Sequence, residues 1–375
     1  MTRFLHRIPV VVLSALGLLP LTASALSYTL TDLGTLGGAT TIPFGINDSG
    51  SVVGWSAAVI AGQQYEHAFL YSGGSMTDLG VLGGTWSIAR GINNSGTVVG
   101  YSDTSQWNIH HAFSYSNGTM TDLGSGLAAS ATGYSLAYSV NSGGTVVGWA
   151  NFPVGNGRPM SYSNGTMSIV HTSAVDDFEN IGGEAVGINT SGTIAGSSFV
   201  NINGLPYQHA FSKSGDTVTD LGTLPGATTS AAKGINDSGT VVGTSENRPF
   251  LYTAGAMTDL LGTGIGGGIA EAINNSGMVV GYLTHPGFSR TQAFAYLNGS
   301  MLNLNDFIPN NPGWDLIDAT AINSSGQIVG VAYAPGDIPR AYLLTPVEPV
   351  PEASTWVAGL GLAVVAFRQW CRKKG

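Results

Sequence analysis

Disulfide bonds cannot frame this 375-residue chain, because its single cysteine, Cys371, lies beside the C-terminal end. Charge is also scarce. Only 9% of the residues are Asp, Glu, Lys or Arg. Six of the 13 basic residues stand at the two ends: Arg3, Arg7, Arg368, Arg372, Lys373 and Lys374. Residues 27–350 keep seven Lys or Arg against twenty-one Asp or Glu, a net of −14. So acidic a body repels phosphate backbones, which excludes nucleic acid as a partner. Helical periodicity is missing from the body as well, which argues for strands. What remains is 43% hydrophobic content, enough for a core, and 55 glycines that recur at regular intervals as turn and bulge positions.

That regularity centres on one phrase, Gly91-Ile92-Asn93-Asn94-Ser95-Gly96. Its copies place anchoring asparagines at 47, 93, 141, 189, 236, 274 and 323, spaced by 46, 48, 48, 47, 38 and 49 residues. A period in this range marks a repeat architecture. Each period divides into four β-compatible runs, in the second repeat Ser87–Asn93, Thr97–Ser102, His111–Ser116 and Thr119–Gly124. Asn-Asn-Ser-Gly joins the first run to the second and Ser-Asn-Gly the third to the fourth, both suited to left-handed hairpin turns. Seven repeats of four antiparallel strands describe an all-β, seven-bladed β-propeller over residues 26–346. A β-solenoid, the competing arrangement, would not need four tight-turned strands per period.

The strand count adds an inference. The last repeat stops after its third strand, Arg340–Pro346, whereas the chain opens with an orphan fourth strand, Tyr28–Gly34. Letting the N-terminal strand complete the last blade removes two raw sheet edges.

Both ends read as addresses. Arg3 and Arg7, the apolar run Ile8–Leu21 and Ala23-Ser24-Ala25 form a secretory signal, residues 1–25, cut after Ala25. Residues 347–375 hold Val350-Pro351-Glu352, a twelve-residue apolar run Trp356–Phe367 and a basic end. This tail resembles a PEP-CTERM sorting signal, with Ala353 where that family usually has proline and Lys mixed into the Arg run. The resemblance implies transient anchoring in a Gram-negative membrane and processing by an exosortase, often in exopolysaccharide producers. Within the body, the third runs carry His67-Ala68-Phe69, His111-Ala112-Phe113 and His209-Ala210-Phe211. The fourth runs carry words such as Thr77-Asp78-Leu79-Gly80. Together these words resemble the bacterial HAF repeat family. That resemblance implies an extracellular repeat protein and no particular activity.

The repeated polar residues read as structural. The His position holds Arg158, Arg248, Gln292 and Arg340 in other repeats, so a long donor at a strand start is what recurs. Asp32, Asp78, Asp122, Asp220 and Asp259 are regular partners within each blade. Calcium loops would need carboxylates where most turns carry Asn or Ser, and only Asp48 and Asp237 are charged there. No metal or other cofactor is expected. The nine Asn-x-Ser/Thr sequons follow from the same turn chemistry.

Function is therefore sought in the irregular connections between strands two and three and between blades, which share one face. They carry Trp86, Trp107, Phe152, Phe178, Tyr207, Phe288 and Trp314, rings able to stack on sugars or dock a partner. Trp86, Trp107, Tyr207, Phe288 and Trp314 are the candidate binding residues. Arg90 and Arg290 would serve an acidic polymer, although so few cations favour a neutral glycan. The expectation is an exported, non-catalytic scaffold for polysaccharide or a surface protein. The alternative is a glycan hydrolase or lyase, which requires convergent carboxylates; Asp176, Asp177, Glu179 and Glu184 are the candidates.

Overall fold

Each Asn-x-Ser-Gly phrase closes a hairpin by turn chemistry alone. In the second repeat Asn93 and Thr97 pair through their backbones at 3.0 Å, and Gly96 at φ +82° donates to the Asn93 carbonyl. That left-handed angle is one a side chain would strain. Between strands three and four, Asn117 and Gly118 both adopt positive φ, 51° and 80°, as a type I′ turn demands.

The computed structural model describes residues 26–106, 109–125, 133–152, 157–170, 182–262, 266–287, 289–309, 311 and 313–347. These hold twenty-eight strands, β1–β28 in chain order, in seven four-stranded antiparallel sheets. The second blade is β6 (Gly83–Ile92), β7 (Val98–Thr104), β8 (His110–Ser116) and β9 (Thr119–Asp122). The innermost strands of the other blades are β2 (Gly37–Ile46), β10 (Ser135–Val140), β14 (Gly183–Ile188), β18 (Ala231–Ile235), β22 (Gly267–Ile273) and β26 (Asp315–Ile322). The body from Ser27 to Val347 forms one compact unit, and the sheets make a seven-bladed β-propeller.

The orphan strand latches the ring. β1 (Tyr28–Asp32) pairs antiparallel with β28 (Ile338–Pro346), from Tyr28↔Pro346 to Asp32↔Tyr342, and completes the sheet of β26, β27 (Ile328–Ala334) and β28. Leu33, 3% exposed, packs against Val52 and Phe69 of the first blade and Val329 and Ala341 of the last.

Between blades the third-strand aromatics Phe69, Phe113, Phe211, Phe250 and Phe294 are fully buried, with Met160 and Tyr342 at the same place in the other two. Glycine at the second-strand position is required by close approach. A Cβ on Gly100 would lie 2.0 Å from the Ile88 carbonyl oxygen, where the first strand bulges between Ala89 and Gly91.

The recurring histidines and aspartates bind each other, as expected of structural residues. The Nδ1 atoms of His67, His111 and His209 lie 2.8, 2.8 and 2.9 Å from Asp78, Asp122 and Asp220, and Arg248 pairs with Asp259. The aspartate also accepts from the glycine two residues on, Gly80 to Asp78 at 2.8 Å. Thus the third and fourth strands of a blade are joined by side chains as well as by their ladder.

The anchoring asparagines do more than turn. Each Nδ2 donates to the backbone carbonyl of the next blade's asparagine: 47 to 93, 93 to 141, 141 to 189, 189 to 236, 236 to 274, 274 to 323, and 323 back to 47, at 3.0 to 3.3 Å. The circle is closed. Each Oδ1 meanwhile accepts the N–H four residues on, such as Thr97 to Asn93 at 2.9 Å. Outside this ring Asp48 accepts from Ser324 and Asn94, and Asp237 from Thr190 and Asn275. Burial works against the Asp48 charge, yet the Ser324 and Asn94 hydrogen bonds hold its pKa below the ordinary value. The Thr190 N–H does the same for Asp237.

Strands one and three run toward this asparagine face, and strands two and four run away from it. Ser27 and Val347 meet there, joined by a 2.9 Å backbone hydrogen bond. On the opposite face several of the second-to-third connections, expected to be long and unlike one another, are short. β3 (Val52–Ile60) with β4 (Gln63–Ser72), β15 (Ile194–Ile202) with β16 (Leu205–Ser214), and β27 with β28 are extended hairpins ending in two- or three-residue turns. Apolar Val59, Ile60, Ile202, Leu205 and Ile338 stand exposed at their tips. Among the described residues no helix is long and apolar enough to cross a membrane. Ala25, Val350, Pro351, Glu352 and the run Trp356–Phe367 lie outside the described residues.

Candidate functional site

Seven inner strands around one axis bring together side chains that are far apart in sequence. Three residues before the anchoring asparagines stand Phe44, Arg90, Tyr138, Val186, Lys233, Glu271 and Thr320; Glu184 and Asp318 stand five before theirs. Around them the phrase repeats, but these positions do not. They line a central cavity of about 510 Å³, within the range of small-ligand sites.

Its charges are unequally placed. On the side of the second and third blades, the Arg90 guanidinium lies 4.2 Å over the Phe44 ring and 5.6 Å from that of Tyr138. Cation–π contact holds it without using its N–H groups. Lys233 enters from β18. Neither cation sits within ion-pairing distance of a carboxylate among the described residues.

Blades four, six and seven contribute Glu184, Glu271 and Asp318. Glu184 hydrogen-bonds Tyr138, whose pKa is raised by burial and by that carboxylate. Burial raises the Glu271 pKa, while Lys233 and Arg90 pull it back. Burial and the Glu271 charge push Asp318 up to about 7, against a backbone hydrogen bond from Ala319. Asp318 Oδ1 is buried with no hydrogen-bond partner.

This gives a stability prediction. The native Asp318 pKa lies above its unfolded value, so its contribution is fully present below about pH 4 and is lost as pH rises through about 7. Asp318→Asn should therefore raise the melting temperature at pH 8 and change it little at pH 4. The ceiling is several kcal/mol, at roughly 1.4 per pKa unit. Equal shifts at both pH values would contradict it.

A second cavity, of about 560 Å³, opens on the face away from the asparagines where the first two blades meet. Trp55 of β3, Tyr65 of β4 and Trp86 of β6 line it, with Gln64 and Glu66 beside them. The Trp86 ring meets Tyr101 edge-on at 5.6 Å and His110 at 4.6 Å. Asp103 accepts from the backbone N–H of Thr85 and Trp86 at 2.8 Å. Burial lowers the His110 pKa, which keeps this ring neutral behind the tryptophan. Tyr101 also lines the central cavity, so Trp86 and Tyr101 form the wall between the two.

The expected binding residues fare unevenly. Trp86 belongs to a strand and not to an inter-blade loop, because β6 begins at Gly83, four residues earlier than its β-branched core. Tyr207 also lies in a strand, β16, two residues before His209 as Tyr65 precedes His67, and packs on the apolar core of its blade. Trp314 precedes β26, its N–H held by Asn311 Oδ1 at 2.8 Å. These three stand on three different blades and form no common site. Phe152 packs on the core around Val146 and Met160. Trp107, Phe178 and Phe288 lie outside the described residues, as do Asp176, Asp177 and Glu179. Glu184 is no solvated loop residue, since it lines the central cavity from β14. Arg290 is committed elsewhere, to Asp315 at 3.3 Å, Asp337 at 2.8 Å and the Tyr333 ring at 3.9 Å. Sequence reading missed Trp55, Tyr65, Lys233, Glu271 and Asp318. Their signal was variation at fixed offsets inside an otherwise constant phrase.

No family model matches the chain, and no curated protein does. Among solved structures it is similar to the β-propeller domain of the trilobed protease from Pyrococcus furiosus, with TM-score 0.53 and 7% identity over 87% of this chain and 99% of that one. That domain is described as having an open velcro topology, whereas here the first strand closes the last blade. A fainter likeness, TM-score 0.47 and 12% identity, joins 84% of this chain to 39% of the extracellular domain of a one-component system from B. thetaiotaomicron. The first of these likenesses agrees with the propeller fold.

Proposed function

We propose that this is an exported surface protein whose propeller binds a saccharide along the Trp55–Tyr65–Trp86 groove. The observation that carries the reading is the convergence of three aromatic side chains from two adjacent blades on one open cavity, with Trp86 braced from behind. Each stacked ring contributes about 0.5–1.5 kcal/mol beyond its buried area, and sugar faces are apolar enough to use it. Gln64 and Glu66 supply hydroxyl partners at the rim.

Export rests on the Arg3/Arg7 segment, apolar run and Ala25 site, and surface display on the PEP-CTERM-like tail with exosortase processing. Ser27 and Val347 leave the body on the asparagine face.

Trp55→Ala with Trp86→Ala should lower retention on the producer's matrix polysaccharide by about tenfold or more, with Trp314→Ala retained like the wild type. Equal retention by the double variant would overturn the reading. A second reading, glycan hydrolysis, is favoured by the meeting of Glu184, Glu271 and Asp318 in one cavity. It requires release of reducing ends by the wild type and their loss in Glu271→Gln.

A further inference from the structure

We propose that the central cavity is a binding site for a carboxylate-bearing sugar unit, with the ligand carboxylate on Arg90 and Lys233 and its hydroxyls on Glu184, Glu271 and Asp318. The proposal rests on the saccharide reading and adds the class of sugar. A neutral glycan was the expectation from the paucity of cations, and the structure changes its basis.

The body holds seven basic residues. Arg248 and Arg290 are spent on carboxylates, and Arg340 donates to the Ala39 carbonyl. Arg90 and Lys233, from blades two and five, are brought to the same cavity, and neither lies within ion-pairing distance of a carboxylate among the described residues, although Glu271 feels the charge of both. Half-buried cations gain most from an anion held at hydrogen-bond distance, and among the described residues the cavity's own carboxylates do not stand that close. Arg90 lies over Phe44, a contact that does not use its N–H donors, and a guanidinium fork matches a carboxylate in bidentate fashion. Lys233 adds a second charge from another direction. A wholly neutral sugar would leave both unpaired.

Glu184, Glu271 and Asp318, from blades four, six and seven, add acceptors on either side of Lys233, which suits the hydroxyl donors of the same sugar ring. Tyr138 holds Glu184 in place. Tyr101 and Tyr138 line the cavity, and its volume of about 510 Å³ accommodates one sugar unit with water. Tyr101, which packs edge-on against Trp86, forms the wall between the cavity and the aromatic groove.

The cavity's charge also depends on pH. Asp318 is faced by Glu271 of β22, Tyr282 of β23 (Val279–Thr284) and Tyr342 of β28, and Glu271 by Lys233 and Arg90. Asp318 takes a proton near pH 7, which removes a negative charge as pH falls. An anionic ligand should therefore bind more tightly near pH 6 than near pH 8.

The test is a titration of the purified full-length chain with D-glucuronate, D-glucose and acetate, followed by chemical-shift changes or heat. Glucuronate should bind about tenfold or more tightly than either of the others. Lys233→Met and Arg90→Lys should each weaken it by a similar factor, with unchanged melting temperatures. The gain on going from pH 8 to pH 6 should be several-fold and should vanish in Asp318→Asn. Glucose binding as well as glucuronate, or Lys233→Met binding like the wild type, would overturn the proposal. If that happens while the Trp55/Trp86 double variant still loses polysaccharide, the groove reading survives alone; if polysaccharide retention is also unaffected, both fall.

Discussion

Removal of Tyr28–Gly34 should leave a chain that no longer persists as a soluble monomer. Tyr28 is 1% exposed and Leu33 3%; fully burying a side chain of this size contributes about 1.5–3 kcal/mol each. Five register pairs with β28 would be lost as well, uncovering the backbone from Tyr342 to Pro346. Leu33 further touches both the first and the last blade, so its loss loosens the seam where the ring meets itself. The expected outcome is unfolding at a temperature lower by many degrees, or association through the bare edge. Light scattering behind a sizing column and thermal unfolding read the two together. A truncated chain that stays monomeric and melts like the intact one would show that the latch is ornamental.

The second large effect belongs to the asparagine ring. Asn93→Ala removes a donor to the Asn141 carbonyl at 3.0 Å and an acceptor for the Thr97 N–H at 2.9 Å and the Ser95 hydroxyl at 2.8 Å. The backbone groups left behind are buried, so the loss should be about 2–4 kcal/mol. Ser95→Ala should cost far less, roughly 0.5–1 kcal/mol. The third blade shows why: Gly143 stands at the serine position, yet Asn141 keeps both its turn and its ring bond. Asn93→Asp retains the acceptor but loses the donor, and should resemble alanine. Denaturant unfolding separates these cases, and a loss below about 0.5 kcal/mol for Asn93→Ala would mean that the ring is a by-product of the turns.

Legibility varied with the range of the interaction concerned. Turns such as Asn117-Gly118 were readable because their chemistry lies within four residues. The His-Ala-Phe and Thr-Asp-Leu-Gly words were readable as partners, since they sit on adjacent strands of one hairpin, and His67 does meet Asp78. Misplaced residues have a local cause. Gly83–Trp86 looked like a loop because its glycines mask a strand start that pairs only at Gly83, with Thr104, before the register shifts at Ser87. Tyr207 looked like a loop residue because Asn203-Gly204, a hairpin turn with φ of 55° and 84°, was absorbed into a supposed long connection.

The cavity is a different matter. Alternation predicts which residues share a face, but each inner strand carries a bulge just before its asparagine, between Ala89 and Gly91 or between Pro43 and Gly45. One extra residue exchanges the faces of a strand. Arg90 therefore reads as one cation within the run Ser87–Asn93 in sequence and stands over Phe44 on the axis in the fold.

By itself the sequence determined the blade number, the turns, the latch and the pairing of polar words, because each depends on neighbours along one repeat or on a count of strands. Tertiary structure decided the rest. Only closing the ring brings each asparagine amide against the carbonyl of a copy 38 to 49 residues away, and the last against the first across 276. Only that closure sets Arg90, Lys233, Glu271 and Asp318 around one axis, since the strands that carry them belong to four different blades.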